Sequence, residues 1–130
     1  MKAAMLACAI VLFPATAVAD PCEAPLPRAG TSFSGTVRYV GDGDSMCVGN
    51  NGNPATWIEV RVGDFYAPEL NGPGGRQAKA ALERVAFGKH VQCEAGKKSY
   101  DRVIARCSVN GTSVGDLMRR AGVAEGGRGR

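Results

Sequence analysis

Aromatic residues and imidazoles are scarce in this chain: one Trp, three Tyr, four Phe and a single His in 130 residues. One imidazole cannot supply a His-rich metal centre or a paired His acid–base system. No two cysteines stand in a C-x-x-C knuckle, and with His90 alone to help them the sequence argues against a structural zinc site. No internal repeat is present, which excludes a solenoid. No apolar run reaches the ~20 residues of a spanning helix. The net charge of +4 is compatible with a polyanionic partner but is too small to demonstrate one.

What the chain does have begins at its N-terminus. Met1 and Lys2 are followed by the apolar run Ala3 to Pro14 and then by Ala17-Val18-Ala19-Asp20, the small-x-small pattern of a signal-peptidase site. Residues 1–19 are therefore expected to be a removable secretory signal, with a periplasmic or secreted product and no membrane segment in the mature form. Cys8 lies too early to leave a full apolar region ahead of a lipoprotein site. Residues 20–130 suit one domain with a single core. Four cysteines remain there, Cys22, Cys47, Cys93 and Cys107, an even number that in an oxidising compartment predicts two disulfides.

Along the mature chain, residues 20–32 are a proline-rich lead-in, extended and without periodicity. Phe33 to Tyr39 alternates apolar and polar residues with the period of a half-buried strand. GDGD at 41–44 forces a turn, Ser45 to Val48 resumes a strand, NNGNP at 50–54 is a hairpin signal, and Trp57 to Gly63 makes a third strand. After LNGPGG, the residues Ala78, Ala81, Leu82, Val85 and Ala86 form the stripe of an amphipathic helix stopped by Gly88. Val91 to Glu94 and Val103 to Val109 read as two further strands joined by GKKSYD. Ser113 then caps a short helix, with Asp116 in its first turn and Gly122 as its stop. Residues 125–130 read as a solvated Gly/Arg tail.

The order of three strands, helix, two strands, helix is that of a mainly β protein with helices (α+β). It predicts a five-stranded Greek-key barrel of the oligonucleotide-binding (OB-fold) kind over residues 33–124, with two to three helices. A flat open sheet is the alternative.

Within that frame some residues form a chemical set. Asp42 and Asp44, two apart in GDGDS, can present oxygens to a hard cation from one face of an extended chain; alone, they read as an ordinary turn. Arg61 lies on the third strand, Glu69 just beyond its end, and Arg102 opens the fifth. A cation ligand, a base and two guanidinium groups are the parts that phosphodiester hydrolysis needs: a metal polarises a phosphoryl oxygen, a carboxylate acts on the water, and arginines match the charge that develops.

DGDSMCV, VRVGDFYAPE, GGRQAKAAL and SYDRVIARC, in this order, resemble the staphylococcal-nuclease (thermonuclease-like) family over about residues 33–124. The resemblance implies a five-stranded barrel that cleaves DNA or RNA with calcium to 3′-phosphate products. It also implies Asp44 as the primary calcium ligand with Asp42 beside it, Arg61 and Arg102 as phosphate-binding arginines, Glu69 as the residue acting on water, and Tyr100 as a phosphate contact. Ala67 falls where the family contributes a backbone carbonyl to the metal. One position departs: a second calcium-binding aspartate is expected where this chain has Tyr66, a poor calcium ligand. Asp64, two residues earlier on the same strand face, is the candidate replacement, and Tyr66 itself becomes a candidate substrate contact. The family's exposed aromatics near the C-terminal part of the cleft have no counterpart in GVAEGGRGR.

The placement of Cys93 and Cys107 on the fourth and fifth strands suggests one bridge, leaving Cys22 to tie the lead-in to Cys47. Trp57 at the head of a strand is expected to pack, and His90 to be exposed or structural. The expected protein is an exported, monomeric, calcium-dependent nuclease. The alternatives are a nucleic-acid-binding barrel without catalysis and an exported interaction module.

Overall fold

The computed structural model describes residues 20–126; residues 1–19, where a secretory signal is expected, and positions 127–130 of the tail lie outside the described residues. Among the described residues the fold is mainly β with two α-helices. Its strands are β1 (Ser32–Asp42), β2 (Ser45–Gly49), β3 (Ile58–Val62), β4 (His90–Ser99), β5 (Arg102–Val109) and the short β6 (Thr112–Ser113); its helices are α1 (Gly75–Ala86) and α2 (Val114–Arg120).

The sheet order β3-β2-β1-β4-β5-β6 is closed by an added pairing of β3 with β5, so five strands form a ring. Closure depends on β1, whose first half pairs with β4 through Ser32 to Thr36 and whose second half pairs with β2 from Thr36 onward. Register shifts at Arg38 and Gly41 coil this long strand from one neighbour to the other. The β3–β5 pairing is parallel, Val60 to Val103, while the other pairings are antiparallel. A ring leaves the long strands no free edge to template aggregation.

The period-two pattern fills the inside of the ring. Val37, Val48, Val60, Val62, Val91, Val103 and Ala105 are buried, and α1 covers the core with Ala78, Ala81, Leu82 and Ala86. Val85, on the same stripe, is half-buried. Ser113 caps α2 by accepting a hydrogen bond from the Asp116 N–H at 3.1 Å, and Gly122, at φ 81°, ends it.

Two local expectations change. NNGNP does not make a tight hairpin: β2 stops at Gly49, a 3-10 turn occupies Pro54–Thr56, and β3 starts at Ile58 rather than Trp57. The Asn51 and Asn53 side chains accept from the Asn53 and Ala55 N–H groups, and these local bonds compete with the ladder. GKKSYD is mostly strand, since β4 runs to Ser99 through a bulge between Ala95 and Lys98, and the turn is the two residues Tyr100 and Asp101. The proline-rich lead-in is held to the barrel by the Cys22–Cys47 disulfide and by the Ala24 N–H bonded to the Trp57 carbonyl at 2.9 Å. Both expected disulfides are present, the second joining Cys93 to Cys107 across paired positions of β4 and β5. Trp57 packs on Gly49 and donates to the Asn51 carbonyl at 2.7 Å; His90 is exposed. No helix among the described residues is long and apolar enough to cross a membrane.

Candidate functional site

The β3–β5 closure sets the site. Arg61 on β3 lies beside Ile104 on β5, and Arg102 opens the same β5 two residues earlier. The two arginines, 41 positions apart in the chain, share one end of the ring. The turn after β1 brings up Asp42 and Asp44, and the loop after β3 brings up Ala67, Pro68 and Glu69. Asp42, Asp44, Arg61, Ala67, Pro68, Glu69 and Arg102 together line a cavity of about 160 Å³.

Close packing permits this convergence. Gly43 sits against the loop and α1, and a Cβ there would lie 2.6 Å from the methyl groups of both Ala67 and Ala78. The glycine of D-G-D is therefore a requirement of contact, and the small residues of α1 are its complement. Phe65, fully buried, anchors the loop from below, a burial that contributes about 2–3 kcal/mol.

Asp44 is 6% exposed. Its Oδ2 lies 3.2 Å from Arg61 Nη2 and accepts the Ala67 N–H at 3.0 Å. Asp42 Oδ1 accepts the Asp44 N–H at 3.0 Å and the Ser45 hydroxyl at 2.8 Å. Burial, with the adjacent Asp42 charge, pushes the Asp44 carboxyl up to about 7 despite Arg61. Burial also acts on Asp42, but the Asp44 N–H, the Ser45 hydroxyl and Arg102 outweigh it and hold that carboxyl below its ordinary value. Two carboxylates this close repel one another unless a proton or a cation lies between them. Oxygen donors of this charge could take a hard divalent cation, for which Asp42 and Asp44 would supply the anionic oxygens.

Arg61 is held on three sides. Besides Asp44, its Nη1 donates to the Val62 carbonyl at 2.9 Å, and its guanidinium carbon lies 5.0 Å from the centre of the Tyr66 ring. Glu69 is exposed at the mouth of the cavity.

Three expected residues lie apart from this cavity. Asp64 does not line it: its carboxyl rests against Gly115 in the first turn of α2, with Oδ1 buried and lacking a hydrogen-bond partner. The strand ends at Val62, and the chain turns before the alternation that placed Asp64 on the metal face can continue. Tyr66 does not line it either and stacks under Arg61. Tyr100 stands at the β4–β5 turn, 97% exposed and in the left-handed region at φ 58°. It borders a neighbouring cleft of about 880 Å³ that includes Asp42, Lys79 and Arg102.

Sequence reasoning passed over Glu59. It lies on β3 two residues before Arg61, is 8% exposed, and its carboxylate clusters with those of Asp20 and Asp101. Burial, with the Asp20 carboxyl as hydrogen-bond partner and the Asp20 and Asp101 charges, pushes Glu59 up to about 8 against the pull of Arg102. An acidic residue alternating with inward valines was the available signal. The chain matches no protein-family model and no curated protein sequence.

Proposed function

We propose that the protein is an exported calcium-dependent nuclease that hydrolyses phosphodiester bonds of DNA or RNA to 3′-phosphate products, built on a barrel of the oligonucleotide-binding kind like that of the staphylococcal-nuclease family. One observation carries the reading: Asp42, Asp44, Arg61, Ala67, Glu69 and Arg102, dispersed over 61 positions, line one cavity. An interaction surface has no need for a carboxylate pair, a separate carboxylate and two guanidinium groups around one small space.

Each residue has a role in this reading. Asp42, Asp44 and the Ala67 carbonyl would hold the cation, which when bound supplies Lewis acidity at a phosphoryl oxygen. Glu69, exposed at the mouth, orients and deprotonates the attacking water. Arg61 and Arg102 approach the phosphate from β3 and β5 and stabilise the negative charge that builds on its oxygens. Arg61 is already fixed by Asp44, Val62 and Tyr66, so little freedom is lost on binding. Tyr100, at the adjoining cleft, supports the strand beyond the scissile bond, and Asp64 has no part.

A second reading, a nucleic-acid-binding barrel without catalysis, is favoured by Tyr66: an aromatic ring stands under Arg61 where the family pattern calls for a metal-binding carboxylate. The experiment that separates the two is cleavage of single-stranded DNA and RNA by residues 20–130, with calcium or with chelator. Calcium-dependent cleavage supports the nuclease; binding without cleavage in any divalent metal supports the second reading.

A further inference from the structure

The C-terminal segment after α2 crosses the loop that carries Ala67 and Glu69. The Gly126 N–H donates to the Tyr66 carbonyl at 2.7 Å, and the Tyr66 N–H donates to Glu125 Oε1 at 3.3 Å. Both backbone groups of Tyr66 are therefore held by two consecutive residues 59 and 60 positions further along the chain.

That grip is itself tied to α2. Glu125 Oε1 lies 3.7 Å from Arg119 Nη2. Arg119 in turn donates to the Asp64 carbonyl, pairs with Asp116 at 2.8 Å, and lies over the Phe65 ring at 5.8 Å. The run Asp64-Phe65-Tyr66 is thus bound on one side by Arg119, Glu125 and Gly126, while the next N–H, that of Ala67, is bound by Asp44.

The seat of Gly126 admits no side chain. A Cβ there would lie 2.7 Å from Pro68 Cα, 2.8 Å from Pro68 N and 2.9 Å from the Ala67 carbonyl oxygen. The last of these is the oxygen that the proposed function assigns to the cation.

We infer that Arg119, Glu125 and Gly126 are positioning residues for the site: they fix the peptide planes of Tyr66 and Ala67, and with them the carbonyl that the proposed function assigns to the cation and the approach of Glu69. The consequence for catalysis rests on the nuclease reading; the bracing of the loop does not. A connection without regular structure opens locally at low cost unless its backbone groups are held. Misplacement of a reacting group by about 1 Å costs on the order of 10²-fold in rate. Three residues that touch no reacting atom therefore set the precision of those that do.

The test uses the full chain from Asp20 and the variants Glu125→Ala and Gly126→Val, which leave the arginines of the tail in place. Amide exchange at Tyr66 and Ala67 is expected to rise about tenfold, with Val60 and Val103 unchanged. With calcium and a DNA oligonucleotide, kcat is expected to fall about tenfold while KM stays within about twofold, and calcium affinity to weaken. Unchanged exchange at Tyr66 and Ala67 in both variants overturns the inference, and so does an equal rise throughout the barrel. If the parent chain neither binds calcium nor cleaves, the nuclease reading fails, and the exchange result alone decides the bracing.

Discussion

Val60 and Val103 are paired in parallel, the first of three such pairs between β3 and β5, and this ladder brings Arg61 and Arg102 to a common cavity. The arginines are related through the backbone ladder that closes the ring. Their roles in the proposed reaction are therefore separable by substitution without opening the core.

Replacing Arg61 or Arg102 by Met is expected to lower kcat with calcium by about 10²–10³, the usual cost of removing one donor to developing charge. The Arg61 change has a second effect, because Asp44 loses its ion pair. Single-turnover cleavage and thermal unfolding of both variants check this: Arg61→Met loses stability as well as rate, whereas Arg102→Met loses mainly rate.

Tyr66 is the residue whose exchange for a carboxylate is most informative. Tyr66→Asp is expected to tighten calcium about tenfold by adding an anionic oxygen next to Ala67, at the expense of the ring under Arg61. Calorimetric titration decides, and unchanged affinity would show that this position does not face the cation.

Glu59 predicts a pH dependence of stability. Its folded value, about 8, lies above the ordinary 4.5, so the folded state favours the protonated acid. The stability this confers is complete below about 4.5 and is lost as pH rises through about 8. The groups around it are Asp20 on the lead-in, Asp101 in the β4–β5 turn, Arg102 on β5 and Lys79 of α1 across the same cleft. Unfolding temperatures measured from pH 5 to 9 are expected to fall for the parent chain and to stay flatter for Glu59→Gln, which imitates the neutral acid. Parallel curves would contradict this account of the cluster.

The Cys22–Cys47 bridge closes a longer stretch than Cys93–Cys107, with separations of 25 and 14 residues. Loss of either is expected to cost about 2–4 kcal/mol, slightly more for the first. Urea unfolding of the Cys22→Ser/Cys47→Ser and Cys93→Ser/Cys107→Ser chains gives the comparison, and peptide mapping without reductant gives the pairing directly.

Much of the fold could be read from side-chain period. Phe33 to Tyr39 and Val103 to Val109 alternate, and Ala78 to Ala86 follows a helical stripe, because each buries one face against the same core. The closing contact of β3 with β5 left no such mark, since a pairing between strands some 40 residues apart is decided by the whole chain. The end of β4 was missed for a different reason: Lys97, Lys98 and Ser99 carry no apolar face to reveal a strand. Asp42, Asp44, Arg61, Glu69 and Arg102 were recognisable by type and order. Asp64 was misplaced because the alternation that implied its direction stops at Val62. Arg119, Glu125 and Gly126 were invisible as a group, for their meaning lies wholly in contacts across the fold.

The proposed reaction turns on Glu69 acting on water beside a cation held by Asp42 and Asp44. Its most direct test is the rate of single-stranded DNA cleavage by residues 20–130 in calcium, compared with Glu69→Gln under the same conditions. A calcium-dependent rate in the parent chain and its loss by about 10²-fold or more in the variant is the expected result. Equal rates in the two proteins, or no cleavage by the parent in any divalent metal, would contradict it.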